Sequence, residues 1–294
     1  MTVRPRRSVL YMPGSNARAL EKAKTLAADG VVLDLEDSVA PDAKEAARKQ
    51  VADAVKAGGF GTREVFIRVN GVDTPWHAED LAAAAHAAPD VILVPKVQSP
   101  DTLELIGRRL LDMATSHKTR IWAMIETPLA IFNILAIAAE AKDSESRLSG
   151  FIMGTNDLAK DTRARLVPGR APMLSWLSTC VAAARIYGID ILDGVYNDIG
   201  NSDGFAIECA QGVELGFDGK TLIHPNQIEP CNRAFSPSAE EVAQARKIIG
   251  VFDQPENKGK GVVSIDGRMV ERLHADMARR TVAIAEAIEA SSSC

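Results

Sequence analysis

Eight short apolar runs, each followed by a segment of helical character, fill residues 8–225 of this 294-residue chain. The runs are rich in β-branched residues and rarely alternate with polar ones, as is typical of parallel strands buried on both faces. The predicted strands are 8–12, 31–35, 64–69, 91–94, 121–126, 150–156, 189–192 and 217–223. Eight strand–helix units in succession predict an α/β protein with a (β/α)8 TIM barrel, whose active site lies at the carboxyl ends of the strands.

Polar side chains mark the predicted carboxyl ends, whereas the predicted strand starts carry mostly ordinary loop residues. This asymmetry is what a barrel enzyme requires. The residues concerned are Tyr11, Asp34, Glu36, Asp37, Arg68, Asn70, Lys96, Glu126, Asp157, Asp193 and His224.

The pattern changes after residue 235, so we divide the chain into a barrel domain (1–235) and a C-terminal extension (236–294). Ser238 with Glu241 three residues later has the form of a helix-capping box. Residues 262–270 resemble a hairpin with Asp266-Gly267 as its turn, and a final helix should run to about residue 290. We expect this extension to pack on the barrel, on a neighbouring subunit or over the active site.

Composition restricts the partners. The net charge of −5 argues against nucleic-acid binding. The longest apolar stretch, 129–141, is interrupted by Asn133 and is too short to span a membrane. Four cysteines without CxxC spacing favour reduced thiols, so we expect a cytoplasmic protein.

Two carboxylates stand where consecutive predicted strands end, Glu126 and Asp157. They would converge at one edge of the sheet, and Mg²⁺ is commonly held by one or two carboxylates together with water and substrate. Caps of the following helices are the alternative interpretation.

Arg68 lies within an apolar run, where an unpaired guanidinium is costly. It could neutralise Glu36 or Asp37, bind a substrate carboxylate or stabilise an oxyanion. The three acids between residues 34 and 37 require a cation, which favours the metal hypothesis, although Asp37 could also lie in a solvated loop.

Three further features each allow two interpretations. Lys96 could form a Schiff base or a salt bridge with a neighbouring acid. His224 could be functional or could pack at the entry of a helix. The turn at Pro13-Gly14, followed by Asn16 and Lys22, could open a helix that binds phosphate or be an ordinary loop.

The motifs as a set resemble the citrate lyase β-subunit-like acyl-CoA lyases of the HpcH/HpaI aldolase superfamily, which include malyl-CoA and citramalyl-CoA lyases. The similarity covers nearly the whole chain, with about one motif per strand. The motifs are LYMPGSN, VLDLEDSV, IRVNG, VPK, IETP, MGTNDL and KTLIHPNQ.

The resemblance implies specific roles at the site. Mg²⁺, or Mn²⁺, would be held by Glu126 and Asp157, Asp37 would hold metal-bound waters, and Arg68 would contact a substrate oxygen. Coenzyme A would contact Tyr11, Lys22, His224 and Pro225, with Asn16 at a position where some relatives have arginine.

The resemblance also implies an activity, namely reversible Claisen-type cleavage of a short dicarboxylic 3-hydroxyacyl-CoA to an acyl-CoA and an oxo acid. Glu36, Lys96 and Glu271 complete the predicted catalytic set, although many relatives have aspartate where this chain has Glu271. A malyl-CoA thioesterase and an accessory citrate lyase β-like subunit are the alternatives. Relatives form trimers or hexamers, so we expect a homo-oligomer whose C-terminal segment reaches a neighbouring active site.

Overall fold

A computed structural model describes residues 4–292. This part of the chain forms two compact units, one of residues 6–235 and the other of residues 4–5 and 236–292.

The larger unit is a closed barrel of eight parallel strands in chain order, which confirms the predicted (β/α)8 fold. Hydrogen bonds between β1 and β8, with Ser8 opposite Lys220, close the barrel. The strands are β1 (Ser8–Pro13), β2 (Gly30–Asp34), β3 (Glu64–Arg68), β4 (Val91–Val94), β5 (Arg120–Ile125), β6 (Leu148–Met153), β7 (Asp190–Asp193) and β8 (Gly219–Leu222).

Helices connect the strands on the outside of the barrel. They are α1 (Ala17–Ala23), α2 (Lys44–Ala57), α3 (His77–Ala87), α4 (Pro100–Asp112), α5 (Pro128–Ala139), α6 (Thr155–Thr162), α7 (Leu174–Tyr187), α8 (Ser202–Leu215) and α9 (Ile228–Ala234). In the part of the chain that the structure describes, no helix is both long enough and apolar enough to cross a membrane.

The barrel interior is filled by layers of side chains. The central layer includes Val32 on β2, Phe66 on β3 and Trp122 on β5, all fully buried. Side chains alternate along a strand, so Asp34, Arg68 and Met124 come two residues later on the same inward face. The apolar layers thus support a polar layer at the carboxyl ends of the strands.

The smaller unit contains α10 (Ala239–Phe252), the antiparallel strands β9 (Val262–Ile265) and β10 (Arg268–Glu271), and α11 (Arg272–Ser292). The predicted capping box is confirmed, because Ser238 and Glu241 each accept a hydrogen bond from the other's backbone N–H. The predicted hairpin turn is also confirmed, with Asp266 and Gly267 at φ values of 51° and 75°.

Two helix predictions were inaccurate. The sequence predicts helical character over residues 17–28, but α1 ends at Ala23, since the chain must turn back to begin β2 at Gly30. No helix was predicted between the end of β8 and residue 235, where the structure has α9. Pro230 is the third residue of α9, where a backbone N–H has no helical partner and its loss is harmless.

Candidate active site

A buried ion pair between Asp34 and Arg68 lies at the centre of the polar layer. The two residues are opposite each other in the β2–β3 register. Arg68 donates from Nε to Asp34 Oδ1 (2.6 Å) and from Nη2 to Asp34 Oδ2 (2.8 Å). Burial alone would raise the pKa of Asp34, but the Arg68 guanidinium outweighs it and holds that pKa below its usual value.

The remaining nitrogen of Arg68, Nη1, faces the acidic turn. It lies 2.7 Å from Glu36 Oε2 and 3.5 Å from Asp37 Oδ2. The guanidinium also stacks on the ring of Tyr11 at 4.9 Å, a cation–π contact. The three acids were expected to require a cation, and for Asp34 that cation is Arg68.

Glu126 follows β5 and is buried, with 1% of its surface exposed. Its Oε1 accepts a hydrogen bond from the backbone N–H of Lys96 at 2.7 Å. Burial, reinforced by the charge of Glu36, raises the pKa of Glu126 to about 8. This carboxylate thus lacks enough positive charge around it to stay ionised easily at neutral pH.

Gly154, which follows β6, lets the Glu126 side chain lie close to the backbone. A Cβ atom added at Gly154 would lie 2.5 Å from Glu126 Oε2, so only glycine fits between the end of β6 and this oxygen. Asp157 lies in the first turn of α6, half-buried, and its negative charge adds to the raised pKa of Glu126.

These residues fit a hard divalent cation. Mg²⁺ is usually bound by one or two carboxylates, and water and substrate complete its coordination. The buried carboxylate of Glu126 and the nearby carboxylate of Asp157 could supply those two ligands. Among residues 4–292 there is no cluster of three or more histidine, cysteine, aspartate or glutamate side chains that could hold a metal on its own. A Mg²⁺ site of two carboxylates, Glu126 and Asp157, is smaller than such a cluster and stays a prediction.

Lys96 links the two acidic groups. Its φ of 53° is in the left-handed region, which is rare for residues other than glycine. In that conformation its backbone N–H points at Glu126, while its Nζ lies 3.4 Å from Glu36 Oε1. Burial would lower the pKa of Lys96, but Glu36 and other acids raise it, so the amine stays protonated and is a poor Schiff-base nucleophile.

The residues expected to contact coenzyme A lie in three different settings. Tyr11 is half-buried in the barrel against Arg68, and burial raises its pKa. Asn16 and Lys22 are exposed, and Asn16 caps α1 through a hydrogen bond from Ala19 N–H. His224 accepts from Asn226 N–H and caps the turn that begins at Pro225, as the helix-entry alternative proposed. Their contact with coenzyme A stays a prediction.

Two residues at strand ends have structural partners instead of facing the candidate site. Asp193 is fully buried and accepts hydrogen bonds from Arg170 Nη1 (2.6 Å) and Lys220 Nζ (2.9 Å). Asn70 is turned toward Lys44 and Asp80. Nothing in the sequence distinguishes Lys44, because a lysine in an alanine- and glutamate-rich helix is usually exposed.

Glu271 belongs to the smaller unit. It ends β10, its side chain is exposed, and its backbone N–H donates to His274 Nδ1 at 3.0 Å. The three described cysteines (Cys180, Cys209 and Cys231) are buried free thiols, and Cys294 lies outside the described residues.

A closed parallel barrel with acids and bases gathered at the carboxyl ends of its strands defines a TIM-barrel enzyme scaffold. The model of the HpcH/HpaI aldolase/citrate lyase family matches residues 7–225, and the chain belongs to this family.

Relatives of known name support this placement. The chain is 46% identical to a (3S)-malyl-CoA thioesterase of Cereibacter sphaeroides, over 97% of this chain and 96% of that protein. It is 34% identical to citrate lyase subunit beta of Escherichia coli K12, over 96% and 94%. The CitE protein of Mycobacterium tuberculosis, crystallised with magnesium, acetoacetate and coenzyme A, superposes with a TM-score of 0.77 at 27% identity, covering 97% of this chain and all of that one.

Proposed function

We propose that this protein is a Mg²⁺-dependent lyase that cleaves the carbon–carbon bond of a short 3-hydroxyacyl-CoA bearing a second carboxylate, of the malyl-CoA or citramalyl-CoA type. The observation that carries the proposal is Glu126, a buried carboxylate whose surroundings do not fully neutralise its charge. Asp157 and the Arg68 guanidinium, which Asp34 holds in place, both act on its pKa. The names of the family members, which include citrate lyase subunits and a CitE crystallised with magnesium and coenzyme A, support the same chemistry.

Glu126 and Asp157 would hold the metal. When bound, Mg²⁺ would act as a Lewis acid that polarises substrate oxygens. Lys96 supports this arrangement, because its backbone N–H fixes the orientation of the Glu126 carboxylate.

Arg68 would stabilise the thioester enolate that forms when the carbon–carbon bond breaks. Asp34 occupies Nε and Nη2, so a substrate oxygen would share Nη1 with Glu36 and Asp37. Glu36 is our candidate for the group that accepts the hydroxyl proton, since its Oε2 makes no hydrogen bond of good geometry, although it is buried. Burial raises the pKa of Glu36, and this favours proton transfer near neutral pH.

Hydrolysis of the thioester is the second candidate reaction. It is favoured by the 46% identity to the Cereibacter sphaeroides protein, which is named a thioesterase. In this case Glu271 would act as the base that activates water, supplied by the C-terminal unit of a neighbouring subunit in a homotrimer or hexamer. An accessory citrate lyase β-like subunit is a third alternative, and the complete set of acids argues against such an inactive role.

Product analysis tests the proposal. The purified protein is incubated with Mg²⁺ and malyl-CoA or citramalyl-CoA, and the coenzyme A species are separated by mass. Acetyl-CoA with glyoxylate or pyruvate supports the lyase, and free coenzyme A with the intact hydroxy acid supports the thioesterase. Glu126→Ala and Asp157→Ala should abolish either activity, and retained turnover in both variants would refute the metal site.

A further inference from the structure

The acidic turn that carries Glu36 and Asp37 is held from both sides by side chains. The carboxylate of Asp34 accepts hydrogen bonds from the N–H groups of Glu36 (2.9 Å) and Ser38 (3.1 Å). The N–H of Leu35 donates to the backbone oxygen of Arg68 at 2.9 Å. The backbone N–H groups of this turn are therefore bound by Asp34 and Arg68, which already belong to the candidate site.

The carbonyl side of the same turn is bound by Lys44, the first residue of α2. Its Nζ donates to Leu35 O (2.8 Å), Glu36 O (2.7 Å) and Asn70 Oδ1 (2.7 Å). An ammonium group has three N–H donors, and each has an acceptor here. Only 5% of Lys44 is exposed, and its ammonium lies 5.2 Å from the ring of Trp76. A lysine is rarely so buried unless the groups around it require its charge.

Asn70 fixes the position of this ammonium group. Its Nδ2 donates to Leu35 O (2.8 Å) and Asp80 Oδ2 (2.6 Å), so its Oδ1 must face Lys44. Asp80 is fully buried and accepts a further bond from Arg48 Nε at 2.7 Å. The network therefore connects α2, α3 and the end of β3 to the carbonyl groups of the turn.

We propose that Lys44 is a positioning residue of the active site, whose ammonium group holds the turn so that Glu36 faces Arg68 and Lys96 in the geometry that the reaction needs. It does not touch the substrate but acts through the backbone of Leu35 and Glu36. This inference rests on the proposed function, since Glu36 and Arg68 are assigned to the reaction there. The side chain of Glu36 meets Arg68 at 2.7 Å and Lys96 at 3.4 Å, so a shift of the turn would break both contacts.

The test compares Lys44→Met, which keeps an unbranched side chain one atom shorter than lysine and removes its three donors, with Leu110→Ala. Leu110 is fully buried in α4, so its truncation destabilises the barrel without changing a group of the turn. For Lys44→Met we expect kcat to fall by about 100-fold, the loss that a misplacement near 1 Å can cause. KM for the coenzyme A ester should change by less than about threefold, because Glu126 and Asp157 are not part of the turn. Each variant is assayed at the same number of degrees below its own melting temperature. If kcat then falls no further in Lys44→Met than in Leu110→Ala, the proposal is overturned.

Hydrogen exchange supplies a measurement that does not need turnover. In Lys44→Met, amide exchange in peptides covering residues 35–39 should accelerate by at least about tenfold, and in Leu110→Ala it should not. If the wild type turns over no coenzyme A ester, the proposed function fails, and the exchange result alone decides whether Lys44 holds the turn. Unchanged exchange in Lys44→Met refutes the inference in either case. If Lys44→Met does not fold, Lys44→Gln, which keeps an amide donor, replaces it in the same comparison.

Discussion

Glu126 is buried, and the proposed metal site would require its negative charge, two properties that usually conflict. We predict that Glu126→Gln stabilises the metal-free protein at pH 8–9, because the neutral amide keeps an oxygen for Lys96 N–H and avoids the cost of a desolvated charge. The full pKa difference from an ordinary glutamate corresponds to roughly 5 kcal/mol. Even a gain of about 1–2 kcal/mol would raise the melting temperature by about 2–8 °C. The same variant should lose all stabilisation by added Mg²⁺.

The pH dependence of this effect has a definite sign. The pKa of Glu126 is about 8 in the folded protein and about 4.3 for an ordinary glutamate. Between these values the folded protein holds a proton that the unfolded chain has lost, so stability falls as the pH rises. The advantage of Glu126→Gln over wild type should therefore grow from about pH 5 to pH 8 and then remain constant.

Melting temperatures with and without Mg²⁺ measure both effects. Glu140→Gln is the matched control, because burial also raises the pKa of Glu140, at the end of α5. We expect it to keep the Mg²⁺-dependent shift that Glu126→Gln loses. A Mg²⁺ shift of wild-type size in Glu126→Gln would contradict the assignment of this carboxylate as a ligand.

Lys96 provides a test that separates ion pairing from covalent catalysis. We predict that Lys96→Arg keeps at least roughly a tenth of the wild-type turnover, since arginine retains the charge that faces Glu36. A lysine that formed a Schiff base would lose its nucleophile on the same substitution. Borohydride added with the oxo-acid product should leave the wild type active, and a reduced adduct on the peptide containing Lys96 would show that the ion-pair interpretation is wrong.

Strands β7 and β8 and helix α8 are joined by a buried charge network. Lys220 donates to Asp193 (2.9 Å) and to Glu208 on α8 (2.7 Å), while Arg170 binds the other side of Asp193. Removing one member leaves buried charges unpaired, so Asp193→Asn should cost about 3–5 kcal/mol at neutral pH. Urea denaturation measures this loss.

Acidification should reduce the difference in the free energy of unfolding between Asp193→Asn and wild type. Burial would raise the pKa of Asp193, but Lys220 and Arg170 hold it below its usual value. The stabilisation is present above the ordinary aspartate pKa of about 3.9 and is lost as the pH falls through the lowered folded value. The exposed pair of Arg233 and Glu229 is the control, and Arg233→Ala should cost less than about 1 kcal/mol. Equal losses of unfolding free energy in Asp193→Asn and Arg233→Ala would show that burial does not strengthen the Asp193 network.

The eight strands were predictable because a strand buried on both faces must be apolar along its whole length. The termini of the helices were less predictable, since they depend on where the chain must turn toward the next strand. At the site, the sequence indicated which polar residues follow the strands but not how they pair. The pairing of Arg68 with Asp34 depends on the β2–β3 register, and the role of Lys44 depends on an inward orientation that the composition of α2 does not reveal.

The chain as a whole combines a barrel with a smaller C-terminal unit, and the exposed carboxylate of Glu271 belongs to the latter. If Glu271 serves as the base for thioester hydrolysis, Glu271→Ala should lose hydrolysis, while carbon–carbon cleavage, which depends on residues of the barrel, should persist. The two products measured in parallel on one substrate distinguish these reactions. Equal loss of both would contradict the assignment of Glu271 to hydrolysis alone.

A mixing experiment tests whether Glu271 acts on a neighbouring subunit. Glu126→Ala removes the metal ligand from the barrel and Glu271→Ala removes the base from the C-terminal unit, so each homo-oligomer should be inactive in hydrolysis. When both chains are co-expressed in equal amounts, about a quarter of the sites would pair an intact barrel with an intact C-terminal unit from another chain, because subunits of a closed symmetric ring assort at random. Hydrolysis near that fraction of wild type is the expected result, with separately purified variants mixed after assembly as the control. If Glu271 instead acts within its own chain, no mixed oligomer contains a complete site, and the co-expressed sample stays inactive.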